Sequence, residues 1–155
     1  MNILIIDAQG GGIGRQLVSA VKRAFPGETV TAVGTNSLAA SAMLKAGADL
    51  VATGENAVVV NCRRADVILA PIGVVIADAM LGEITPAMAL AAGQSPAKRI
   101  LLPIGHCDNM VVGTGELSVG QLVQEAVERL KAVREGCGRQ DRDSEHHNKT
   151  GIKER

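Results

Sequence analysis

The first 25 residues constrain the fold more than any other stretch. Asn2-Ile3-Leu4-Ile5-Ile6-Asp7 is apolar and β-branched, and Ala8-Gln9-Gly10-Gly11-Gly12-Ile13-Gly14 is a glycine cluster. The next segment repeats Leu17, Val18, Val21 and Phe25 at helical spacing. Strand, glycine loop and helix in that order form the opening unit of a nucleotide-binding α/β fold. Glycine lets the chain turn sharply, brings the backbone close to an anion, and lets the helix pack tightly on the strand. Free N–H groups of the first helical turn, with the helix dipole, then favour a phosphate without help from lysine or arginine. A bare strand-to-helix turn is the competing reading.

The rest of the chain alternates in the same way. Pro26-Gly27 stops the first helix, and a second strand over residues 29–33 leads into Gly34-Thr35-Asn36-Ser37, where Asn36 can cap a helix running to Ala46. A short strand at 49–52 precedes Thr53-Gly54-Glu55-Asn56. Residues 57–64 contain Val58, Val59 and Val60, which β-propensity alone would make a strand. A parallel strand at 66–70 requires a crossover, so a helix is expected there instead. Pro71-Ile72-Gly73 ends that fourth strand. Residues 74–81 are apolar on almost every side, which predicts a helix buried on both faces or shared in a homodimer. Thr85-Pro86 opens the next helix and Gly93 is expected to end it. A fifth strand at 99–104 closes on a second P-I-G, a short sixth strand is expected at 110–112, and Ser118 with Gln121 forms a capping box for the last helix. Residues 136–155 read as a disordered charged tail beyond a domain at 1–135.

The motifs D-A-Q-G-G-G-I-G, G-T-N-S, T-G-E-N, P-I-G and M-L-G-E-I-T-P, taken together, resemble a family of small bacterial proteins known as a conserved domain of unknown function. The resemblance covers about residues 1–130 and implies a Rossmann-like fold without an activity. The family usually has glycine where this chain has Ala8. The expected architecture is an α/β Rossmann-like three-layer sandwich, its mostly parallel sheet having five to six strands in the order 3-2-1-4-5.

Composition narrows the function classes. The chain has 155 residues, 46% hydrophobic and 21% charged, and suits one domain with its own core. The 16 basic and 16 acidic residues cancel, so no basic field exists for nucleic acid or an anionic membrane. Cys62, Cys107 and Cys137 have no paired or metal-ligand spacing, so neither a disulfide framework nor a metal site is expected. They read as reduced thiols of a cytoplasmic protein. No apolar run is long enough to span a bilayer.

Ligands of open parallel sheets bind beyond the carboxyl ends of the strands, where the strand order reverses. The candidate binding residues all follow strand ends: Gln9, Gly10, Gly11, Gly12, Ile13 and Gly14; Thr35, Asn36 and Ser37; Thr53, Gly54, Glu55 and Asn56; Pro71, Ile72 and Gly73. Taken singly, several are simple helix caps. The loop also fits G-x-x-x-G-x-G, the short-chain dehydrogenase spacing, through Gly12 and Gly14 with Ala8 in place of the first glycine. That family's mechanism needs a tyrosine, and the chain has none. NAD sites usually place an acidic residue at the end of the second strand for the ribose hydroxyls. Here Gly34-Thr35-Asn36-Ser37 stands there, and no arginine marks an NADP site, so the ligand expected is a phosphate-bearing small molecule, NAD(P) or another nucleotide. Glu55, Asp78, His106 and Cys107 are the candidate catalytic residues. A sensory or regulatory binding module and a small enzyme on a phosphorylated or nucleotide substrate are the two functional readings, beside a purely structural subunit.

Overall fold

A computed structural model describes residues 1–105 and 107–147, with 137–147 as backbone only. Five parallel strands alternate with helices: β1 (Asn2–Asp7), α1 (Gly12–Ala24), β2 (Thr29–Gly34), α2 (Ser37–Lys45), β3 (Leu50–Thr53), α3 (Glu55–Cys62), β4 (Val67–Pro71), α4 (Pro86–Gln94), β5 (Lys98–Leu102) and α5 (Val119–His147). The sheet order is β3-β2-β1-β4-β5, as expected, and every pairing is parallel. Because side chains alternate across a strand, Ile3 and Ile5 enter one core with Leu17, Val18, Val21, Met43 and Leu130, while Leu4 and Ile6 enter the other with Val58, Ile68, Ile84 and Met88. The result is a Rossmann-like sandwich with a helical layer on each face of the sheet.

Local signals act as the sequence suggests at the helix starts. Asn36 Oδ1 accepts from the Ala39 N–H at 2.9 Å, and Thr85 Oγ1 accepts from the Met88 N–H at 3.2 Å with Pro86 in the first turn. The capping box of α5 is closed from both sides, Ser118 N–H to Gln121 Oε1 at 2.9 Å and Gln121 N–H to Ser118 Oγ at 3.2 Å. The valine-rich segment before β4 is helical, as the crossover demands, with Val58 and Cys62 buried.

Several expectations need correction. Residues 74–81 form no helix: a single 3-10 turn (Ile72–Val75) leads into a loop in which Asp78, Met80 and Leu81 have φ of 63°, 55° and 60°. Three left-handed residues in four cannot belong to a right-handed helix. The apolar residues are there because Val74, Ala79 and Met80 pack into this chain's own core, while Ala77 and Leu81 are exposed, Leu81 at 98%. Residues 110–112 form no strand, and β5 remains the edge. Helix α4 passes through Gly93 to Gln94, where Ser95 turns the chain by donating its hydroxyl to the Cys62 carbonyl at 2.6 Å. Helix α5 continues past Gly136 to His147, since each glycine there costs only about 1 kcal/mol and no proline intervenes. Of the expected disordered tail, residues 148–155 lie outside the described residues.

Candidate functional site

The carboxyl ends of β1, β2 and β4 meet where the strand order reverses, and two carboxylates organise that edge. Asp7, the last residue of β1, has the same parity as Ile3 and Ile5, so its side chain turns toward α1. Its Oδ1 accepts from the Ala8 N–H at 2.8 Å and its Oδ2 from the Gly14 N–H at 2.6 Å, and the group is 3% exposed. A Cβ on Gly14 would lie 2.5 Å from Met43 Sδ and 2.7 Å from Asp7 Cβ. Gly14 therefore makes room for Asp7 and for α2, and its N–H serves the protein's own carboxylate at the start of α1. Burial raises the Asp7 carboxyl above its ordinary value; hydrogen bonds from the Gly14, Ala8 and Ile13 N–H groups oppose this, and the charge of Glu83 adds to the rise.

The turn between β1 and α1 closes with Gly11 N–H on the Ala8 carbonyl at 3.0 Å. Gln9 and Gly11 have φ of 50° and 71°, whereas Ala8 is not among the residues of positive φ. Alanine thus fits where the resemblance leads one to expect glycine. Gly11 lies against α2, its absent Cβ 2.7 Å from Ala39 Cα. Gly10 and Gly12 differ: a Cβ on either meets nothing within 4 Å, and their N–H groups donate to nothing among the described residues.

Glu83 is the residue that sequence reasoning missed. The loop after the 3-10 turn carries it across the end of β1, where Glu83 Oε2 accepts from the Gln9 N–H at 2.7 Å, Thr35 Oγ1 at 2.7 Å and Asn36 Nδ2 at 3.1 Å. Asn36 Nδ2 also donates to the Gln9 carbonyl at 2.9 Å, so one side chain caps α2 and ties the glycine loop to β2. Burial alone would raise the Glu83 carboxyl; the three donors outweigh it and hold the group below its ordinary value. A lowered folded-state value contributes stability that is present above the unfolded value and lost as pH falls through the folded one. Wild type should therefore melt above Glu83→Gln near neutrality. In melting curves taken across pH, that margin should close below about pH 4, the ordinary range of glutamate.

The other candidates are less closely joined. Ser37 is exposed in the first turn of α2. The end of β3 is tied to that of β2 through the Gly54 N–H on the Gly34 carbonyl at 2.9 Å, while Thr53, Glu55 and Asn56 are exposed and make no side-chain hydrogen bond to the glycine loop among the described residues. Pro71, Ile72 and Gly73 lead into the loop bearing Glu83, and Gly73 lies against the Gly105 carbonyl of the second P-I-G. Asp78 is exposed in that loop and is no buried carboxylate. Cys107 Sγ accepts from the Met80 N–H at 3.1 Å, and His106 lies outside the described residues. Burial pushes the Cys62 thiol up to about 11, which leaves it unreactive. The described residues hold no group of three or more potential metal ligands and no helix long and apolar enough to cross a membrane. A cavity of ≈ 690 Å³ lies along β5 and α5, lined by Ile100, Leu122 and Arg129 among others, and none of its residues belongs to the glycine loop.

The family profile described as a domain of unknown function, DUF3842, matches residues 2–135. None of the curated proteins matches the chain. Among solved structures, a dodecameric FMN-dependent Ubix-like decarboxylase from Escherichia coli O157:H7 is similar at 16% identity and a TM-score of 0.39, over 86% of this chain and 76% of that one. At that score the similarity carries nothing about this chain's ligand, reaction or assembly.

Proposed function

This chain belongs to the DUF3842 family of domains of unknown function, and we propose that it is a small binding module for a nucleotide or other phosphate-bearing metabolite, with a sensory or regulatory role. The observation that carries this reading is the pair Gly10 and Gly12. Both lie at the carboxyl end of β1 beside the reversal of strand order, with N–H groups unused among the described residues and open space at each Cβ position. Gly11 and Gly14 are accounted for by packing and by Asp7; Gly10 and Gly12 are not, and a phosphate oxygen is the natural acceptor for them. Binding is favoured over catalysis because Glu55 opens α3 while Asp78 and Cys107 stand on two separate loops, with no hydrogen bond between any two of them among the described residues.

The test is a thermal-shift panel of NAD(P), adenine and guanine nucleotides, coenzyme A and sugar phosphates, read against Gly12→Val. Nothing lies within 4 Å of a Cβ at Gly12, so the variant keeps its fold while a branched side chain enters the space for the ligand. A binding member at about 100 times its dissociation constant should stabilise the wild type by about 2.7 kcal/mol and the variant by nothing. The chain has no tryptophan or tyrosine, so a base retained through purification would dominate the near-ultraviolet spectrum. A panel in which no member shifts the wild type would reduce the loop to a turn.

A further inference from the structure

We infer that Glu83 is the ribose-diol acceptor of this site, so that the ligand class is a nucleotide with free ribose hydroxyls and a 2′-phosphorylated one is rejected. The inference rests on the nucleotide-binding reading above and sharpens it.

Sequence alone finds no acid at the end of β2, where a carboxylate commonly takes the ribose hydroxyls of a dinucleotide. The tertiary structure supplies one from elsewhere. Glu83 belongs to the loop after β4, yet its carboxylate is held at the end of β2 by Thr35 and Asn36 and beside the glycine loop by the Gln9 N–H. All three donors converge on Oε2. Oε1 accepts no hydrogen bond among the described residues, and the residue is partly exposed. A carboxylate with one oxygen saturated and the other without a donor among the described residues is fixed in place and still an acceptor, which is what a hydroxyl donor needs. A phosphate brought to the same point meets a like charge, with buried Asp7 adding a second.

The loop is built to hold that position. Ile84, next to Glu83, is fully buried, and Met80 and Ala79 are 7% and 3% exposed. Backbone bonds close it from Asp78 N–H to the Ile84 carbonyl at 2.8 Å and from Ile84 N–H to the Ala79 carbonyl at 3.2 Å. Such anchoring favours a fixed acceptor over a latch that swings away to free the Gln9, Thr35 and Asn36 donors for an incoming anion.

The experiment is calorimetric titration of the full chain with matched probes: NAD against NADP, ADP against 2′-deoxy-ADP, and GDP against 2′-deoxy-GDP, each repeated on Glu83→Gln. The expected result is that wild type prefers the diol member of a binding pair by about 10-fold or more, the range of a hydrogen bond to a charged group. Glu83→Gln, which preserves shape and removes the charge, should cut that preference several-fold and relieve the rejection of NADP. Equal affinities within every binding pair would overturn the inference and leave the binding reading intact. Tighter binding of both members of a pair, and of inorganic phosphate, to Glu83→Gln would overturn it in favour of the latch. If no probe binds wild type and protein purified from its source shows no near-ultraviolet absorbance of a retained base, both fall together.

Discussion

Gly73→Ala is expected to lower stability by about 3 kcal/mol or more, on the order of 10 °C in melting temperature, although it adds a single methyl group. The two P-I-G turns, at the ends of β4 and β5, press against each other: a Cβ on Gly73 would lie 2.1 Å from the Gly105 carbonyl oxygen and 2.7 Å from Met80 Cε. The methionine tip can move aside, but the backbone carbonyl cannot without shifting the end of β5. Strain there also reaches the loop that carries Glu83, because Met80 is one of its anchors. Thermal unfolding of Gly73→Ala beside Gly93→Ala makes the comparison internal. Gly93 lies within α4 with nothing near its Cβ position, so its alanine should be neutral or stabilising by up to about 1 kcal/mol. Equal behaviour of the two variants would show that the turns do not meet as described.

Asp7→Ala should cost about 2–4 kcal/mol, because the Gly14 and Ala8 N–H groups lose their acceptor in a place water does not reach. The pH dependence has the opposite sign to that of Glu83. A folded-state value raised by burial contributes stability that is complete below the unfolded value and is lost as pH rises through the folded one. The margin of wild type over Asp7→Ala, followed by denaturant unfolding at a series of pH values, should therefore be widest in acid and narrow toward neutrality. A margin that widens instead as pH rises would mean that the hydrogen bonds to the carboxylate, and not its burial, dominate at the start of α1.

These two positions separate what was legible in the chain from what was not. The strands, the crossover helix and the caps at Asn36, Thr85 and Ser118 depend on groups within a few residues of each other. Alternation and short-range hydrogen bonding therefore expose them, and the sheet order follows from the rules of parallel connection. Asp7 could have been found by the same means, since its parity in β1 points it at the start of α1. The glycines of the first loop looked alike in sequence. Only packing divides them into Gly11 and Gly14, which neighbours require, and Gly10 and Gly12, which face open space.

The loop from residue 76 to residue 84 was beyond local reasoning. Its apolar run satisfied a helix by composition, and the left-handed residues that forbid one belong to a loop pinned to the core by Ala79, Met80 and Ile84. Glu83, between Gly82 and Ile84, carries no local mark of function, and its partners Gln9 and Thr35 are 74 and 48 residues away in the chain. What the sequence determined by itself was the alternating architecture, because hydrophobic period and helix caps act over a few residues. The tertiary structure alone decided where the second carboxylate of the site comes from, because a side chain's partners across a sheet depend on how the loops above it cross.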